Sequence, residues 1–273
     1  VSSTTDINIG NFMSEYFENE DPVAQYWESP TTISIIDKNL HQIEIDTVSK
    51  YLTPDAVLAD VGCGNGEATA VYAGQVRECW AFERSNLMSG KALAHFCAKN
   101  IKNIRLEKAD VLSISEFAGY FDIVVTQRTL INLGTWSEQK AAILNIQRML
   151  KPGGIYIMIE NTNDSFQALN EMRTAVGLAP IPQHWHNRFF DYGELKSFLE
   201  NKFQILKIED FSLYYFLTRI YGPLVAPFSG WGKDAVKDPL FEKLDRSART
   251  LFTIYKDRLA WKGSRALGRI QAF

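Results

Sequence analysis

The chain has few cysteines and no marked excess of charge of either sign. Its three cysteines, Cys63, Cys79 and Cys97, form no C-x-x-C pair, which disfavours a zinc site or a disulfide framework and favours a reducing, cytoplasmic environment. The formal net charge of −3 over 273 residues gives no basic field of the kind that attracts nucleic acid. We therefore expect no nucleic-acid partner.

Long apolar runs are missing as well. No stretch of about 20 apolar residues occurs, so no transmembrane segment is predicted. The polar, acidic first 22 residues lack the cationic and apolar pattern of a secretory signal. A hydrophobic content of 46% with 22% charged residues is typical of a soluble globular protein with a sizeable core.

What the sequence does have is a regular alternation of short apolar strands and helices between residues 55 and 160. Repeated β-α units require a parallel sheet with right-handed crossovers and helices on both faces. The predicted strands are "AVLADVG", "VRECWAFERS", "IRLEKAD", "FDIVVTQ" and "IYIMIEN". After Asn161 the alternation ends, although "FQILKIEDF" (203–211) and the terminal "RIQAF" are also predicted as strands.

A glycine-rich turn, "DVGCGNG", follows the first of these strands. Ligands of a parallel sheet bind at the carboxyl ends of its strands, and glycine permits a positive φ and a close backbone approach there. A dinucleotide fingerprint needs its third glycine at position 67, which is Glu67, whereas here it comes early, at Gly66. The carboxylate of Asp60, before the first glycine, suits a cationic ligand.

The D-x-G-x-G-x-G pattern resembles the first motif of the class I S-adenosylmethionine-dependent methyltransferases. The resemblance extends over residues 55–160 through an acidic residue after the second strand, "ADV" after the third, "TQRT" at the end of the fourth and "KPGG" at Lys151–Gly154. It implies S-adenosylmethionine as cofactor and S-adenosylhomocysteine as product. The cofactor-binding residues it implies are Asp60, Gly62, Cys63, Gly64, Gly66, Glu83, Arg84, Asp110, Val111 and Gln127. Tyr26 and Trp27 are predicted to cover the cofactor or to pack against the body.

The resemblance also implies the fold: an α/β, doubly wound, mostly parallel seven-stranded sheet. We predict an N-terminal arm and helical cap over 1–54, a Rossmann-like core over 55–210 and a helical, aromatic insertion over 211–265. Residues 266–273 would form the last strand. The insertion could contribute to the acceptor site or to a homodimer contact. Its amphipathic helix (239–262) could dock on the body or lie on a membrane surface.

Candidate acceptor-site residues follow the fourth and fifth strands. A hydroxyl acceptor needs a base, and histidine titrates near neutral pH, so His184 and His186 in "QHWHNR" are the first candidates, with Glu160 as a further catalytic candidate. The predicted substrate-binding residues are Arg128, Asn132, Asn161, Trp185, Asn187, Tyr214 and Tyr215. The alternatives are a histidine that bonds the loop backbone, an Arg128 that caps a helix, and aromatic side chains that cover the core.

The predicted function is methyl transfer to a hydroxyl of a sugar, glycan or other small molecule. The "QHWHN" region loosely resembles that of bacterial methyltransferases that modify sugars and surface polysaccharides. N- or O-methylation of a natural-product scaffold, methylation of protein or RNA, and cofactor binding without catalysis are the alternatives. No clustered carboxylates of the kind a metal requires are evident, so no metal is predicted.

Overall fold

The computed structural model describes residues 21–34, 36–225 and 239–255. Three predicted features lie wholly or partly outside these residues: the N-terminal arm (1–20), the last strand (266–273) and parts of the insertion (226–238 and 256–265).

A parallel five-stranded sheet forms the centre of the described chain. Its strands are β1 (Val57–Val61), β2 (Glu78–Glu83), β3 (Ile104–Lys108), β4 (Phe121–Gln127) and β5 (Leu150–Ile159). They lie in the order β3-β2-β1-β4-β5, and each neighbouring pair is parallel. The predicted α/β architecture with a parallel sheet is confirmed, with five strands in the described part of the chain where seven were expected.

Helices cover both faces of the sheet. They are α1 (Pro22–Trp27), α2 (Lys38–Ser49), α3 (Glu67–Ala73), α4 (Asn86–Ala98), α5 (Trp136–Met149), α6 (Asn163–Ala175), α7 (Tyr192–Glu200), α8 (Ser212–Phe216), α9 (Gly222–Val225) and α10 (Pro239–Tyr255). A 3₁₀ turn (Leu130–Asn132) follows β4, and a π-helical turn (Leu217–Tyr221) joins α8 to α9. No described helix is long and apolar enough to cross a bilayer.

The core has one large cluster on each face of the sheet. Phe82, Val124 and Tyr156 point toward α5 and α7, whereas Leu58 and Tyr72 lie in the cluster with α2 and α10. All five residues of β1 are buried, as expected for a central strand with helices on both sides. In α10, Ala248 and Phe252 belong to this second cluster, so the described part of that helix docks on the body.

The segment over 203–211, predicted as a strand, does not join the sheet. Phe203 and Ile205 pack against the core, but Leu206 and Ile208 are exposed, and the segment has no ladder partner among the described residues. The prediction of a strand is wrong because backbone pairing, which the pattern does not specify, is missing.

Packing accounts for two of the three glycines in the turn after β1. Gly62 and Gly66 both have φ of +76°, and a Cβ would lie 2.4 Å from the Thr129 side chain at Gly62 and 2.6 Å from the Phe96 ring at Gly66. At Gly64, with φ of +56°, a Cβ would meet no atom within 4 Å. Of the three glycines in this turn, Gly64 is the one that combines a left-handed backbone with open space beside it.

Replacing Gly66 with alanine is expected to destabilise the fold. The left-handed backbone and the clash with Phe96 together should lower the free energy of unfolding by about 2–4 kcal/mol, measured by urea denaturation. Gly74→Ala is the matched control, because Gly74 has φ of −70° and its Cβ would make an ordinary contact at 3.6 Å. Equal stability of the two variants would contradict the packing role of Gly66.

Candidate active site

A cavity of about 340 Å³ lies at the carboxyl ends of the strands, between the sheet and the α1 segment. Sixteen of the residues predicted for the site line it: Tyr26, Trp27, Asp60, Gly62, Cys63, Gly64, Glu83, Arg84, Asp110, Val111, Gln127, Arg128, Asn132, His184, His186 and Asn187. Residues that sequence reasoning missed also line it, among them Asp37, His41, Asn65 and Thr129.

The strand order sets the order of polar groups along the cavity. Asp110 follows β3, Glu83 ends β2, Gly64 follows β1, and Gln127 ends β4. Because the strands lie in the order β3-β2-β1-β4, these groups succeed one another from one end of the cavity to the other. The cavity therefore offers a row of polar groups to an elongated ligand.

Glu83 connects the ends of β1 and β2. Its Oε2 accepts a hydrogen bond from the Gly64 amide at 2.8 Å, and its Oε1 accepts one from the Ser85 amide at 2.9 Å. Burial raises the pKa of Glu83, while these amides favour the charged form. A carboxylate has about four acceptor positions, so both oxygens retain capacity for hydroxyl donors of a ligand.

Asp60 lies deeper, at the end of β1, and is almost completely buried. Its Oδ2 accepts a hydrogen bond from the Thr69 hydroxyl at 2.6 Å, and burial raises its pKa to about 6. Burial likewise raises the pKa of the neighbouring Cys63 thiol, which keeps it protonated. Asp60 is thus an anionic group on the cavity wall near neutral pH, suited to a cationic ligand group.

The β3 end of the cavity is closed by an ion-pair chain. Arg84 lies 3.3 Å from the Asp110 carboxylate and 2.9 Å from that of Asp21, which precedes α1. The other oxygen of Asp110 accepts a hydrogen bond from the Leu112 amide at 2.9 Å. The guanidinium of Arg84 is therefore already paired with two carboxylates.

Helix α1 crosses the cavity and is attached on both sides. The Trp27 indole donates to Asn132 Oδ1 at 3.2 Å, and the Trp27 carbonyl accepts from the Ser85 hydroxyl at 3.1 Å. The Glu28 carboxylate accepts from the amides of Asn86 and Leu87, at the first turn of α4. The N-terminal segment thus covers the cavity.

The two predicted histidines lie beside this cover, with His184 exposed and His186 partly buried. The His186 ring stacks on Tyr26 with centroids 4.2 Å apart, and the His184 ring is 5.6 Å from it. Burial, and then the neighbouring His184, lower the pKa of His186, so it is neutral near pH 7. Its Nδ1 is enclosed and has no hydrogen-bond partner among the described residues. Trp185, by contrast, is 66% exposed and lies outside the cavity lining.

Glu160 serves the loop after β4 rather than the cavity. It is fully buried, and its carboxylate accepts hydrogen bonds from the amides of Thr129 at 3.0 Å, Leu130 at 2.8 Å and Ile131 at 3.4 Å. Burial raises its pKa to about 8. This placement corrects the prediction that Glu160 is catalytic: the loop folds over the end of β5 and uses the carboxylate itself.

Four other predicted residues also lie away from the cavity. The fully buried Tyr214 donates its hydroxyl to Asp37 at 2.9 Å, and neither it nor Tyr215 lines the cavity. Asn161 and Gly66 are likewise not part of the lining, because Gly66 packs on Phe96 and the Asn161 backbone carbonyl bonds Phe190. Tyr214 is therefore joined to the cavity lining through Asp37.

A polar network missed from sequence joins α2 to the end of β4. The Gln127 amide nitrogen lies 3.1 Å from His41 Nδ1 and also donates to the Glu44 carboxylate, while its Oε1 accepts from the Tyr72 hydroxyl at 3.2 Å. Glu44 is fully buried and forms an ion pair with Arg128 at 3.4 Å. In the sequence, His41 and Glu44 fall among apolar residues of an amphipathic helix, and nothing local distinguishes them as site residues.

The buried side chain of Gln139, in α5, connects two walls of the cavity. Its amide nitrogen donates to the carbonyls of Leu130 at 3.1 Å and Arg188 at 2.9 Å, and its oxygen accepts from the Arg188 guanidinium at 2.6 Å. The loop after β4 and the segment of the two histidines are thereby fixed to each other. The described residues contain no group of three or more side chains suited to a metal ion.

This region is similar to known proteins. Residues 58–154 match a family described as "Methyltransferase domain". The chain is also 24% identical over 156 residues to the "Squalestatin tetraketide synthase" of a Phoma species and to that of Cochliobolus lunatus. The match covers 53% of this chain but 6% of each synthase.

Solved structures share the fold of the described chain. The PH0226 protein from Pyrococcus horikoshii superposes with a TM-score of 0.54 at 16% identity, covering 68% of this chain and 92% of that one. Magnesium protoporphyrin IX methyltransferase from Synechocystis, with bound SAH, gives 0.52 at 16% identity, covering 73% and 92%. The [4+2]-cyclase SpnF gives 0.53 at 21% identity, covering 84% and 78%. A cyclase among these neighbours shows that the fold alone does not set the reaction.

Titration of Glu160 should make stability depend on pH. Its pKa is raised from 4.5 to about 8, so folding favours the neutral acid. The stabilisation is complete below pH 4.5 and is lost as the pH rises through about 8, with a slope of up to about 1.4 kcal/mol per pH unit. The advantage of the wild type over Glu160→Gln in urea unfolding should therefore shrink from pH 5 to 8.5.

Other groups that titrate in this range, such as Asp60 and Asp245, are present in both proteins. Their contributions therefore cancel in the difference between the two free energies of unfolding. A stability difference that stays constant with pH would show that the three amides hold Glu160 ionised throughout.

Proposed function

We propose that this chain is an S-adenosylmethionine-dependent methyltransferase that methylates a hydroxyl of a sugar, glycan or other small acceptor, with His186 as the general base. The observation that supports it most directly is the neutral, half-buried His186 on the wall of a cavity whose opposite wall is the glycine turn and Glu83. The cavity volume of about 340 Å³ suits a small-molecule ligand.

The residues of the cavity fit the cofactor in four respects. Glu83 offers acceptor positions for ribose hydroxyls, and the open space beside Gly64 allows a ligand to approach the backbone. Asp60 is positioned for the positively charged methionine end, and Asp110 for the adenine amine. When bound, S-adenosylmethionine supplies a methyl group that its positive sulfur activates for in-line displacement.

The chain's own residues then provide alignment and proton removal. His186 is neutral near pH 7 and takes the proton of the acceptor hydroxyl on Nε2, because its Nδ1 is enclosed. Stacking on Tyr26 fixes the plane of the His186 ring. The cover formed by α1 excludes water from the reacting oxygen. Burial, with a smaller contribution from His184, lowers the pKa of His186 and keeps it neutral.

The second candidate acceptor is a natural-product scaffold, methylated on oxygen or nitrogen. The similarity to two tetraketide synthases favours it. An amine acceptor needs only to arrive neutral, so it would not depend on His186. The two candidates therefore differ in their response to loss of the histidines.

Loss of the Glu83 carboxylate should weaken cofactor binding. Glu83→Ala removes charge-assisted hydrogen bonds to the ligand and should raise the Kd for S-adenosylhomocysteine about 10- to 100-fold, measured by calorimetry. Glu107→Ala, on the exposed side of β3 and outside the cavity, is the matched control and should bind as the wild type does. Equal affinities of the two variants would exclude Glu83 from the cofactor site.

Methyl transfer itself is tested by incubating the protein with tritiated S-adenosylmethionine and separated pools of cell extract. The pools are nucleotide sugars and small molecules, lipid-linked glycans, RNA, and protein. Label in the sugar or glycan pools is expected. Label confined to RNA or protein would exclude the proposed acceptor class.

In the labelled pool, His186→Gln should lower the rate about 10²- to 10⁴-fold, the usual contribution of a general base. The wild-type rate should rise with pH through a pKa below 6.5 and then level off, because the neutral imidazole is the active form. His95→Gln is the control, since His95 lies on α4 outside the cavity lining. A His186→Gln variant that keeps its rate would instead favour an amine acceptor.

A further inference from the structure

Arg128 occupies the end of the cavity where β4 stops. The polar groups that fit adenine and ribose follow β3 and β2, so the opposite end, at β4, is where the methyl group and the acceptor meet. Arg128 lines the cavity there, with 27% of its side chain exposed. Its position is thus on the acceptor side of the site.

The backbone holds this arginine in an unusual conformation. Arg128 has φ of +56°, which is uncommon for a residue with a side chain. Its amide donates to the Ile159 carbonyl at 2.8 Å, and its carbonyl accepts from Asn132 Nδ2 at 2.8 Å. Strain that surrounding contacts maintain in this way is concentrated at ligand sites. The loop therefore fixes the backbone from which the Arg128 side chain starts.

The guanidinium has more donors than partners. It carries five N–H groups, and its ion pair within the described residues is with Glu44 Oε2, at 3.4 Å. Arg84, the other arginine of the cavity lining, is already paired with Asp21 and Asp110. Of the two arginines that line the cavity, Arg128 thus has fewer carboxylate partners among the described residues and retains more donor capacity.

Nearby carboxylates do not oppose an anionic ligand. Asp37 accepts hydrogen bonds from Tyr214 and Arg219, and it forms an ion pair with Arg219. Glu44 is matched by Arg128 itself, and Glu160, bound to three amides beneath the loop, is largely protonated at neutral pH because its pKa is about 8. An oxyanion that approached Arg128 would meet no uncompensated charge among these groups.

We infer that Arg128 binds an anionic group of the acceptor, so that the substrate is an acidic molecule bearing a carboxylate or phosphate close to the methylated hydroxyl. This inference rests on the proposed methyl transfer and adds the charge class of its acceptor. Arginine suits the task because its planar fork matches the oxygens of a carboxylate or phosphate. The cofactor also has a carboxylate, so the test must separate the two sources.

The first test measures the charge of the acceptor directly. Small-molecule and glycan pools are divided on an anion exchanger into retained and unretained fractions before incubation with tritiated S-adenosylmethionine. Label in the retained fraction is expected. Label only in the unretained fraction would overturn this inference and leave the proposed function standing, whereas no label in either would overturn both.

The second test uses Arg128→Met in the labelled fraction. Loss of a charge-assisted contact should lower kcat/KM for that fraction about 10- to 150-fold, mainly through KM. The calorimetric Kd for S-adenosylhomocysteine should change less than about twofold. Arg105→Met, outside the cavity and stacked over Trp80, is the control for loss of one positive charge. A raised Kd for S-adenosylhomocysteine with an unchanged KM for the acceptor would assign Arg128 to the cofactor carboxylate and overturn the inference.

Arg128→Met removes the arginine of the ion pair with the buried Glu44, which lowers the stability of the protein. The double variant Glu44→Gln with Arg128→Met removes the negative charge of that pair as well. It should melt close to the single variant Glu44→Gln and still show the raised KM relative to it. Equal KM values for these two variants would overturn the inference without depending on the stability of Arg128→Met.

Discussion

The hydrogen bonds from three successive amides to the buried Glu160 carboxylate organise the loop on which the rest of the site depends. They fix Thr129, whose side chain bonds the Val61 carbonyl and leaves no room for a Cβ at Gly62. The same loop carries Arg128 in its left-handed conformation and presents Asn132 to Trp27. Through this loop, the Glu160 carboxylate is connected to the glycine turn, to the β4 end of the cavity and to helix α1, which covers the cavity.

His186 and His41 both line the cavity but lie in different environments. His186 sits in an aromatic setting with Tyr26, which favours the neutral ring, whereas His41 sits in a polar one, between Gln127 and the carboxylate of Glu44. Because desolvation without a nearby anion disfavours protonation, the first environment suits a base. Placement of the two rings on separate elements keeps these environments distinct.

The part of the cavity formed by β1, β2 and β3 was predictable because its residues follow directly from the strand pattern. Asp60, Glu83 and Asp110 each end or follow a strand, and parallel strands necessarily bring such residues to one edge. The same reasoning failed for Glu160, which follows β5, because the sequence does not reveal that amides of the loop after β4 donate hydrogen bonds to its carboxylate. Glu44 and Asp37 could not be found either, because their partners are about 80 or more residues away in the chain. Likewise, the apolar residues over 203–211 suggested a strand, but the sequence did not reveal that this segment would not pair with the sheet.

Gln139 holds the loop after β4 and the segment of the two histidines at a fixed separation. Its single amide group spans the gap between the Leu130 carbonyl on one wall and Arg188 on the other. A glutamine has a constant length, so the separation of the two walls is set from inside α5, by a residue that no ligand touches. The dimensions of the cavity therefore depend on an interior side chain, and a shorter or longer residue at that position would change them without altering any group of the lining.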